Sequence, residues 1–462
     1  MPFASILETI GKTPMVEITR LDRGPCRLFV KLESQNPGGS IKDRIALSMI
    51  DAAARDGRLK PGGTIVEATA GNTGLGLALI AALKGYKVVL VVPDKMAREK
   101  IAHCKALGAE VRVTRSDVTL GHPEYYQDMA KRIAKEIGGF FVNQFDNPAN
   151  PEAHVKTTGP EIWEQMEHKI DAIVCGVGSG GTMAGLARYF SSVSPGTEMI
   201  LADPKGSILE PLINCGEKIT PGSWEVEGIG EDFVPPNLDI KVVRKAYSIT
   251  DAESLQMARE LLRQEGILAG SSSGTLMAAA LRYCREQKVP KRVVTLICDQ
   301  GGKYLSKLFN DIWMVEQSFI HRPETGTLED LVIRRHASGD AVVARPDDTL
   351  QMIYKRMRAA DVSQIPVLDN QDQVIGLIRE ETIFHHATEA SGAPAAHKLF
   401  TQPAKDVMDK AYSTAEKHMP LAEAVRILQK EPLIIVTDGK KFAGVVTRID
   451  VLNHWSQLER KA

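Results

Sequence analysis

A lysine at the start of a predicted helix is the first residue whose type and position suggest chemistry. The stretch 31–44, KLESQNPGGSIKDR, predicts the end of a short strand, a turn and a helix that begins near Lys42. Ser40 could cap this helix, and Asp43 adds a carboxylate to its first turn. A cation at a helix N-terminus is mildly unfavourable. An amine of lowered pKa, or one bound as an imine, therefore fits the position, and an ordinary solvated lysine stays as the alternative.

Two glycine-containing stretches each follow a predicted strand and open a predicted helix. They are TAGNTG at 69–74 and GVGSGGT at 176–182. Small residues and bare amides at a helix N-terminus bind anions, so both are candidate carboxylate or phosphate sites. The first could equally be a simple capping turn. The second also has the glycine spacing of the dinucleotide fingerprint, with Asp203 after the next strand, which leaves a nicotinamide- or flavin-dependent oxidoreductase open.

Three further stretches have residue types suited to a ligand site. GSSSGT at 270–275 could cap the helix that follows it or direct a hydroxyl towards a ligand atom. VNQFDN places Gln144 directly after a predicted strand. EGIGEDF at 227–233 has glycine hinges and could close over a substrate.

Length and composition describe the chain that must position these residues. With 462 residues, 43% of them apolar, there is enough chain for two or three domains with sizeable cores. A net charge of −1 argues against a general nucleic-acid binder.

The six cysteines are scattered without a CxxC pair, so we expect reduced thiols and no metal site. No signal pattern is present and no apolar run approaches the ~20 residues of a membrane span, so we expect a cytoplasmic protein without a membrane partner.

Short apolar runs alternate with longer helical patterns from about residue 27 to residue 300. This alternation predicts an α/β region with a doubly wound, mostly parallel sheet, which binds ligands at the carboxyl ends of its strands. The predicted strands are 27–31, 64–68, 87–92, 110–114, 140–143, 171–176, 198–202 and 292–298, and the predicted helices are 41–54, 75–84, 94–107, 124–137, 151–167, 182–190, 252–264 and 275–286.

The character of the sequence changes near residue 315. The polar stretch 316–330 predicts a linker, and two similar units of helix, strand, turn and strand follow it, with Gly376 and Gly444 at corresponding positions. Two such units side by side usually share one core, so we interpret them as a tandem pair in one module. The predicted domains are a core at 1–315, the linker at 316–330, and two small domains at 331–395 and 396–462.

The order of these motifs resembles that of the fold-type II pyridoxal-phosphate enzymes, the group of cysteine synthases, serine/threonine dehydratases and cystathionine β-synthases. The matching motifs are GGSIKDR, AGNTG, GVGSGGT and GSSSG, across roughly residues 5–310. LADPKGSIL, VEGIGEDFVP and CDQGGKYLSKLFNDIWM look most like the cystathionine β-synthase family. The tail resembles the pair of CBS domains that this family carries. The combination is far more specific than any single motif.

The resemblance implies a pyridoxal 5′-phosphate site. Lys42 would bind the cofactor and would also act as the base that removes and returns the α-proton of the substrate. Asn72 would bond the 3-oxygen of the ring, and Ser272 would face the pyridine nitrogen. The remaining implied residues are those that hold the phosphate, Gly178, Ser179, Gly180, Gly181 and Thr182, and those that bind the substrate, Thr69, Gly71, Asn72, Thr73, Gln144, Gly228 and Glu231.

The resemblance also implies a reaction, the β-replacement that condenses L-serine with L-homocysteine to L-cystathionine and water. This reaction belongs to transsulfuration and cysteine biosynthesis, and hydrogen sulfide would arise from side reactions. The alternative is a cysteine synthase that uses O-acetylserine or O-phosphoserine and sulfide. A ligand-sensing protein with an inert core is a further alternative, against which the retained Lys42 argues. By resemblance the core is expected to be a homodimer.

Two features depart from the family pattern. Glu231 stands where several relatives have tyrosine, so the preference for the second substrate stays open. The animal members carry a haem-binding extension before the core, whereas this chain enters the core almost at once, and we expect no such extension.

One half of the tail keeps the residues by which CBS modules hold a ribose. GVVTRID at 444–450 has Thr447 and Asp450 at these positions, whereas the first repeat has Arg379 and Thr382. The resemblance therefore implies one site for S-adenosylmethionine or another adenosyl ligand, and a second site that is damaged. The alternative is a pair that binds no nucleotide and serves in dimerisation.

Overall fold

The computed structural model describes residues 2–69, 71–94, 96–118, 121–389 and 399–461. These residues form two compact units, Met1–Phe309 and Asn310–Ala462. No helix among the described residues is long and apolar enough to cross a membrane. The same part of the chain contains no cluster of three or more His, Cys, Asp or Glu side chains that could hold a metal ion.

The first unit alternates strands and helices. Its strands are β1 (Met15–Ile18), β2 (Arg27–Lys31), β3 (Thr64–Ala68), β4 (Lys87–Pro93), β5 (Glu110–Thr114), β6 (Phe140–Phe141), β7 (Ala172–Cys175), β8 (Glu198–Pro204), β9 (Lys245–Ile249) and β10 (Arg292–Leu296). Its α-helices are α1 (Lys42–Arg55), α2 (Asn72–Lys84), α3 (Arg98–Ala106), α4 (Tyr126–Ile137), α5 (Ala149–Ala153), α6 (Gly159–Gln165), α7 (Gly181–Val193), α8 (Leu209–Cys215), α9 (Asp251–Glu260) and α10 (Ser271–Arg285).

These strands form two sheets. One has six strands in the order β1-β2-β10-β7-β8-β9, in which β1 runs antiparallel to β2 and the other pairs are parallel. The other has four parallel strands in the order β5-β4-β3-β6. Central strands such as β4 and β7 are continuous apolar runs that are buried along nearly their whole length, as parallel strands covered on both faces are. The predicted doubly wound α/β architecture is confirmed.

Several local predictions differ from the structure; for example, the helix predicted at 252–264 is α-helical only to Glu260 and continues as a π-helical turn at Leu261–Glu265. Ser40 is not the N-cap of α1; Ile41 is, and the Ser40 hydroxyl accepts a hydrogen bond from the Lys42 amide at 3.2 Å. The strand predicted at 140–143 ends at Phe141. The helix predicted at 151–167 is interrupted by a π-helical turn at His154–Thr158, where the His154 ring contacts the Thr182 hydroxyl at 3.2 Å. Such turns often occur at functional sites.

The second unit contains two repeats. Its α-helices are α11 (Asp311–Glu316), α12 (Leu350–Ala360), α13 (Glu380–Glu389), α14 (Ala404–Val407), α15 (Leu421–Lys430) and α16 (Arg448–Lys461), and its strands are β11 (Gln364–Leu368), β12 (Val374–Arg379), β13 (Thr414–Glu416), β14 (Leu433–Asp438) and β15 (Lys441–Thr447).

Each repeat centres on an antiparallel strand pair, β11 with β12 and β14 with β15. Gly376 and Gly444 pair with corresponding strand residues, Val367 and Val436, next to a shift of register in each repeat. Leucines of the first pair pack in one cluster with Leu433, Ile435 and Phe442 of the second, so the repeats share a core as predicted. The predicted boundary between them, at 395/396, lies outside the described residues.

Candidate active site

One pocket in the first unit brings the predicted cofactor residues together. Its lining includes Lys42, Asn72, the loop residues 178–182, Gly228 and Ser272. Four helices begin here, since Lys42 and Asn72 are the first residues of α1 and α2, α7 begins within the loop, and Ser272 is the second residue of α10. Helix N-termini carry partial positive charge and unpaired amides, so the pocket favours an anionic ligand.

Lys42 lies in this pocket with an unusual electrostatic environment. Burial lowers the pKa of its amine, and the nearby acidic groups of Cys298, Asp299 and Glu231 raise that pKa by smaller amounts. Among the described residues, the Lys42 side chain has no hydrogen-bond partner. Because a neutral amine is nucleophilic and an ammonium is not, this environment favours reaction with a carbonyl carbon.

The loop 176–182 forms a cradle that depends on glycine. A Cβ atom at Gly178 would lie 2.5 Å from the carbonyl oxygen of Gly228, and one at Gly181 would collide with the Asn150 side chain. Gly180 has a φ of +78°, which suits glycine. Asn150 donates to the Ser179 hydroxyl at 2.9 Å, and this bond helps to fix the position of the loop. Bare amides in a close-packed turn before a helix fit a phosphate group.

The three serines of 271–273 bond to three different groups, which belong to Glu227 and Cys298. The Ser271 hydroxyl accepts from the Glu227 amide at 3.1 Å, and the Ser273 hydroxyl accepts from the Cys298 amide at 2.9 Å. The Ser272 hydroxyl contacts the Cys298 thiol and faces the pocket. None of them caps α10, whose N-cap is Gly270. Ser272 is thus the serine placed to meet a ligand.

The predicted substrate loop at 69–73 lies beside the pocket and is tied to Gln144. The Thr73 hydroxyl donates to the Gln144 side-chain oxygen at 2.7 Å, and the Gly71 amide donates to the Thr69 hydroxyl at 3.1 Å. Of these residues only Asn72 lines the pocket itself. The loop and Gln144 form one hydrogen-bonded group, although the loop's Ala70 lies outside the described residues.

The segment 227–233 is fixed at several points. The Gly230 amide donates to the carbonyl of Val177 at 2.8 Å, and the Glu231 amide donates to the Ser207 hydroxyl at 3.1 Å. The Glu227 carboxylate accepts hydrogen bonds from Lys100 at 2.6 Å and Lys307 at 2.8 Å. The segment predicted as a hinged lid is therefore bonded to its surroundings in this structure.

Sequence reasoning missed a group of polar residues around Asn72. The Asn72 amide lies between Lys303 and Asp299, at 2.8 Å and 2.7 Å. Asp299 also accepts from the Tyr304 hydroxyl, which in turn accepts from Lys100. The sequence did contain a signal for this group, the polar stretch that comes after β10. Residues that follow a parallel strand lie at the edge of the sheet where ligands bind.

Asp203, the acidic residue of the alternative dinucleotide site, lies in β8. It is fully buried, and its carboxylate accepts a hydrogen bond from the Glu210 amide at 2.9 Å. Burial raises its pKa to about 7. The carboxylate therefore does not offer the exposed acceptor that a ribose would need.

In the second unit, Thr447 and Asp450 contact each other. The Asp450 carboxylate accepts from the Thr447 amide and hydroxyl, both at 2.7 Å. Asp450 also borders a pocket whose polar lining residues include His321, Arg322 and Arg335. In the first repeat, Arg379 and Thr382 both bond to the Asp409 carboxylate. The corresponding position there is occupied by an internal ion pair.

Two family models match the chain. A model described as "Pyridoxal-phosphate dependent enzyme" matches residues 6–299. A model described as "CBS domain" matches residues 329–389 and 404–456.

Curated relatives match along nearly the full length. The cystathionine beta-synthase of Apis mellifera is 36% identical over 97% of this chain and 90% of the relative. The cystathionine beta-synthase of Saccharomyces cerevisiae is 31% identical over 97% of both chains.

Solved structures match about two thirds of the chain. A hydrogen sulfide-producing enzyme from Fusobacterium nucleatum is 36% identical, with a TM-score of 0.61 over 66% of this chain and 100% of that one. An O-ureido-L-serine synthase is 33% identical, with a TM-score of 0.62 over 68% of this chain and 100% of that one.

Proposed function

Because this chain belongs to the pyridoxal-phosphate dependent enzymes, and within them to the cystathionine beta-synthase family, we propose that it condenses L-serine with L-homocysteine to L-cystathionine and water. The observation that carries the proposal is the convergence of Lys42, Asn72, the loop 178–182 and Ser272 in one pocket of a chain that matches a cystathionine beta-synthase over 97% of its length.

The pocket residues fit pyridoxal 5′-phosphate. The amides of Gly178, Ser179, Gly180, Gly181 and Thr182 would hold its phosphate, Asn72 would donate to its ring 3-oxygen, and Lys42 would bind it covalently. Ser272 would face the pyridine nitrogen with a neutral hydroxyl, which leaves that nitrogen unprotonated and favours elimination. When bound, the cofactor supplies an electron sink for the charge left on the substrate α-carbon.

The chain's own residues orient the substrate and move its proton. Thr69, Gly71, Asn72 and Thr73, with Gln144, would hold the carboxylate of serine. The Lys42 amine, released when the amino group of serine takes its place on the cofactor and with its pKa lowered by burial, would take the α-proton and return it after the homocysteine sulfur has bonded to the β-carbon. Over the whole reaction, the β-hydroxyl of serine and the thiol proton of homocysteine would leave as water. Gly228 and Glu231 would border the second substrate.

A second candidate function is a cysteine synthase that uses O-acetylserine or O-phosphoserine and sulfide. It stays open because Glu231, which would border the second substrate, is a carboxylate where several members of the family have tyrosine, and this leaves the preference for the second substrate undecided. The name of the similar Fusobacterium nucleatum enzyme, a hydrogen sulfide producer, agrees with release of sulfide as a side reaction here.

One experiment decides between the two functions. Purified protein is assayed with serine plus homocysteine and with O-acetylserine plus sulfide, next to the Lys42→Ala variant. We expect a yellow protein that prefers the first pair, and a variant that loses the visible absorbance and at least about 10²-fold in turnover. A colourless protein that is active without pyridoxal phosphate would contradict the proposal, and preference for the second pair would establish the cysteine synthase.

We also propose the arrangement of the whole chain. The catalytic core would span 1–315, followed by a linker at 316–330 and CBS domains at 331–395 and 396–462. Thr447 and Asp450 would hold the ribose of S-adenosylmethionine or a related adenosyl ligand. The protein would act as a cytoplasmic homodimer on small amino acids, without a nucleic-acid or membrane partner.

A further inference from the structure

Lys303 is a buried lysine that has no role in the function proposed above. Its side chain is 7% exposed. Its Nζ donates to the carbonyl oxygens of Gly38 at 3.0 Å and Gly39 at 3.1 Å and to the Oδ1 of Asn72 at 2.8 Å. Three acceptors match the three donors of an ammonium group, so this side chain is fully satisfied as a cation.

The partners of Asn72 fix the orientation of its amide. An ammonium group can only donate and a carboxylate can only accept, so Oδ1 must face Lys303 and Nδ2 must face Asp299. The structure has this arrangement, with Nδ2 at 2.7 Å from Asp299 Oδ2. One hydrogen of Nδ2 is used by Asp299, and the other is the donor that Asn72 can offer to a ligand in the pocket.

Asp299 is itself held in place. Its carboxylate accepts from the Tyr304 hydroxyl at 2.7 Å. Its backbone bridges to Ser40, and the Gln300 amide donates to the carbonyl of Gly39 at 3.1 Å. The chain that follows β10 is thus bonded to the turn that leads into Lys42. Lys303 and Asp299, the two partners of Asn72, therefore belong to one rigid group.

A charged partner also changes the strength of the amide as a donor. A cation at Oδ1 draws electron density from the amide, and hydrogen bonds in such chains strengthen one another in a desolvated site. The Asp299 carboxylate, which accepts the other Nδ2 hydrogen, acts in the opposite sense. The Nδ2 hydrogen that faces the pocket is therefore a stronger donor with a charged Lys303 than without it, and the charge of Lys303 favours a negatively charged acceptor over a neutral one.

We propose that Lys303 and Asp299 are positioning residues for Asn72: both orient its amide so that it donates to the ring oxygen of the bound cofactor, and the charge of Lys303 polarises the amide so that it favours the ionised form of that oxygen. The proposal rests on the proposed function, because it needs pyridoxal phosphate in this pocket. If Lys303 only held the turn at Gly38 and Gly39 in place, its replacement would leave the electronic state of the cofactor unchanged.

The test is the absorbance spectrum of the purified holoenzyme as a function of pH. In Lys303→Met we expect the visible band of the ionised cofactor to decrease in favour of the near-ultraviolet band, with the midpoint of the transition raised by about one pH unit. Lys303→Arg keeps the charge and should keep the spectrum close to that of the wild type. Lys307→Met is the matched control, since Lys307 bonds to Glu227 and not to Asn72.

The outcomes separate this proposal from the proposed function. A wild-type protein that binds no pyridoxal phosphate would overturn the proposed function and this inference with it. A wild type with the cofactor spectrum, next to a folded Lys303→Met variant with the same spectrum and midpoint, would overturn the inference alone. If Lys303→Met does not fold, Lys303→Gln, which keeps donors but lacks the charge, must show the shift, and its absence would overturn the inference.

Discussion

At the scale of single residues, three lysines of the first unit show how surroundings decide the role of one side chain. Burial lowers the pKa of Lys31, Lys42 and Lys303. Lys31 and Lys303 each donate three hydrogen bonds, the former to Thr13, Glu161 and Gln165. Each therefore uses all three of its ammonium hydrogens, and deprotonation would forfeit one of these bonds. Lys42 has no such partner among the described residues, so burial makes its amine available for reaction.

A buried carboxylate near the substrate loop gives a prediction on pH. Glu67 is fully buried in β3, and burial raises its pKa from 4.5 to about 8. Between these values the unfolded chain releases the proton that the folded protein keeps, so stability falls as pH rises. Glu67→Gln does not titrate and keeps an acceptor for the Gln144 amide. We expect the variant to gain stability relative to the wild type by up to about 1.4 kcal/mol per pH unit across this range.

Urea denaturation of both proteins at several pH values checks this prediction. Other buried acids, such as Asp43 and Asp203, titrate in both proteins, so they cancel in the difference between the two stabilities. Parallel stability curves for Glu67→Gln and the wild type would show that Glu67 ionises normally in the folded protein.

The residues of the site divide into those that sequence could predict and those that it could not. Lys42, Asn72 and Ser272 stand in local motifs at the starts of helices, so strand and helix order was enough to suggest that they meet. Lys303 reaches Asn72 across 231 residues of sequence, and its own stretch is a short 3-10 turn without a phosphate-type motif. Only the packed structure makes this contact visible.

At the scale of elements, the α/β pattern was predictable because parallel strands are buried on both faces and appear as apolar runs. The interruption of the helix predicted at 151–167 was not, since its π-helical turn lies where His154 contacts Thr182, a residue far away in sequence. Ser40 failed as a cap for a similar reason. The turn before α1 is held by backbone bonds to the end of β10, which place Ile41 at the N-cap.

A buried ion pair joins helix α3 to the segment that follows α8. Lys100 on α3 is 1% exposed and bonds to Glu227, in the segment that follows α8, at 2.6 Å, and to the Tyr304 hydroxyl at 2.8 Å. Loss of one partner from a buried pair leaves the other uncompensated, which commonly costs 3–5 kcal/mol. Lys307 still bonds to Glu227, so we expect Lys100→Met to lower the free energy of unfolding by about 3 kcal/mol.

Chemical denaturation measures this loss, with Lys105→Met, an exposed lysine on the same helix, as the matched control that should change stability by less than about 0.5 kcal/mol. The double variant Lys100→Met/Glu227→Gln should lose less than the sum of the two single variants, because it removes both charges together. Additive losses would mean that the pair does not join the elements energetically.

At the scale of the whole molecule, each unit buries its own apolar surface. In the first unit, buried residues cluster around the six-stranded sheet and on both sides of the four-stranded sheet. In the second unit, each repeat has a cluster of its own and the two share a third. A unit with its own core satisfies the basic condition for folding alone. The residues proposed for catalysis all belong to the first unit, and the proposed adenosyl site belongs to the second.

Because of this separation, we expect the first unit to work without the second. A chain that ends at Phe309, where the first unit ends, should fold, bind pyridoxal phosphate and turn over serine with homocysteine, because it contains every residue that lines the catalytic pocket. It should not bind S-adenosylmethionine, which calorimetry can measure against the full chain and its Asp450→Asn variant. A second chain that ends at residue 315 tests the boundary predicted from sequence. A chain ending at Phe309 that folds and binds the cofactor without turnover would show that catalysis needs residues of the second unit.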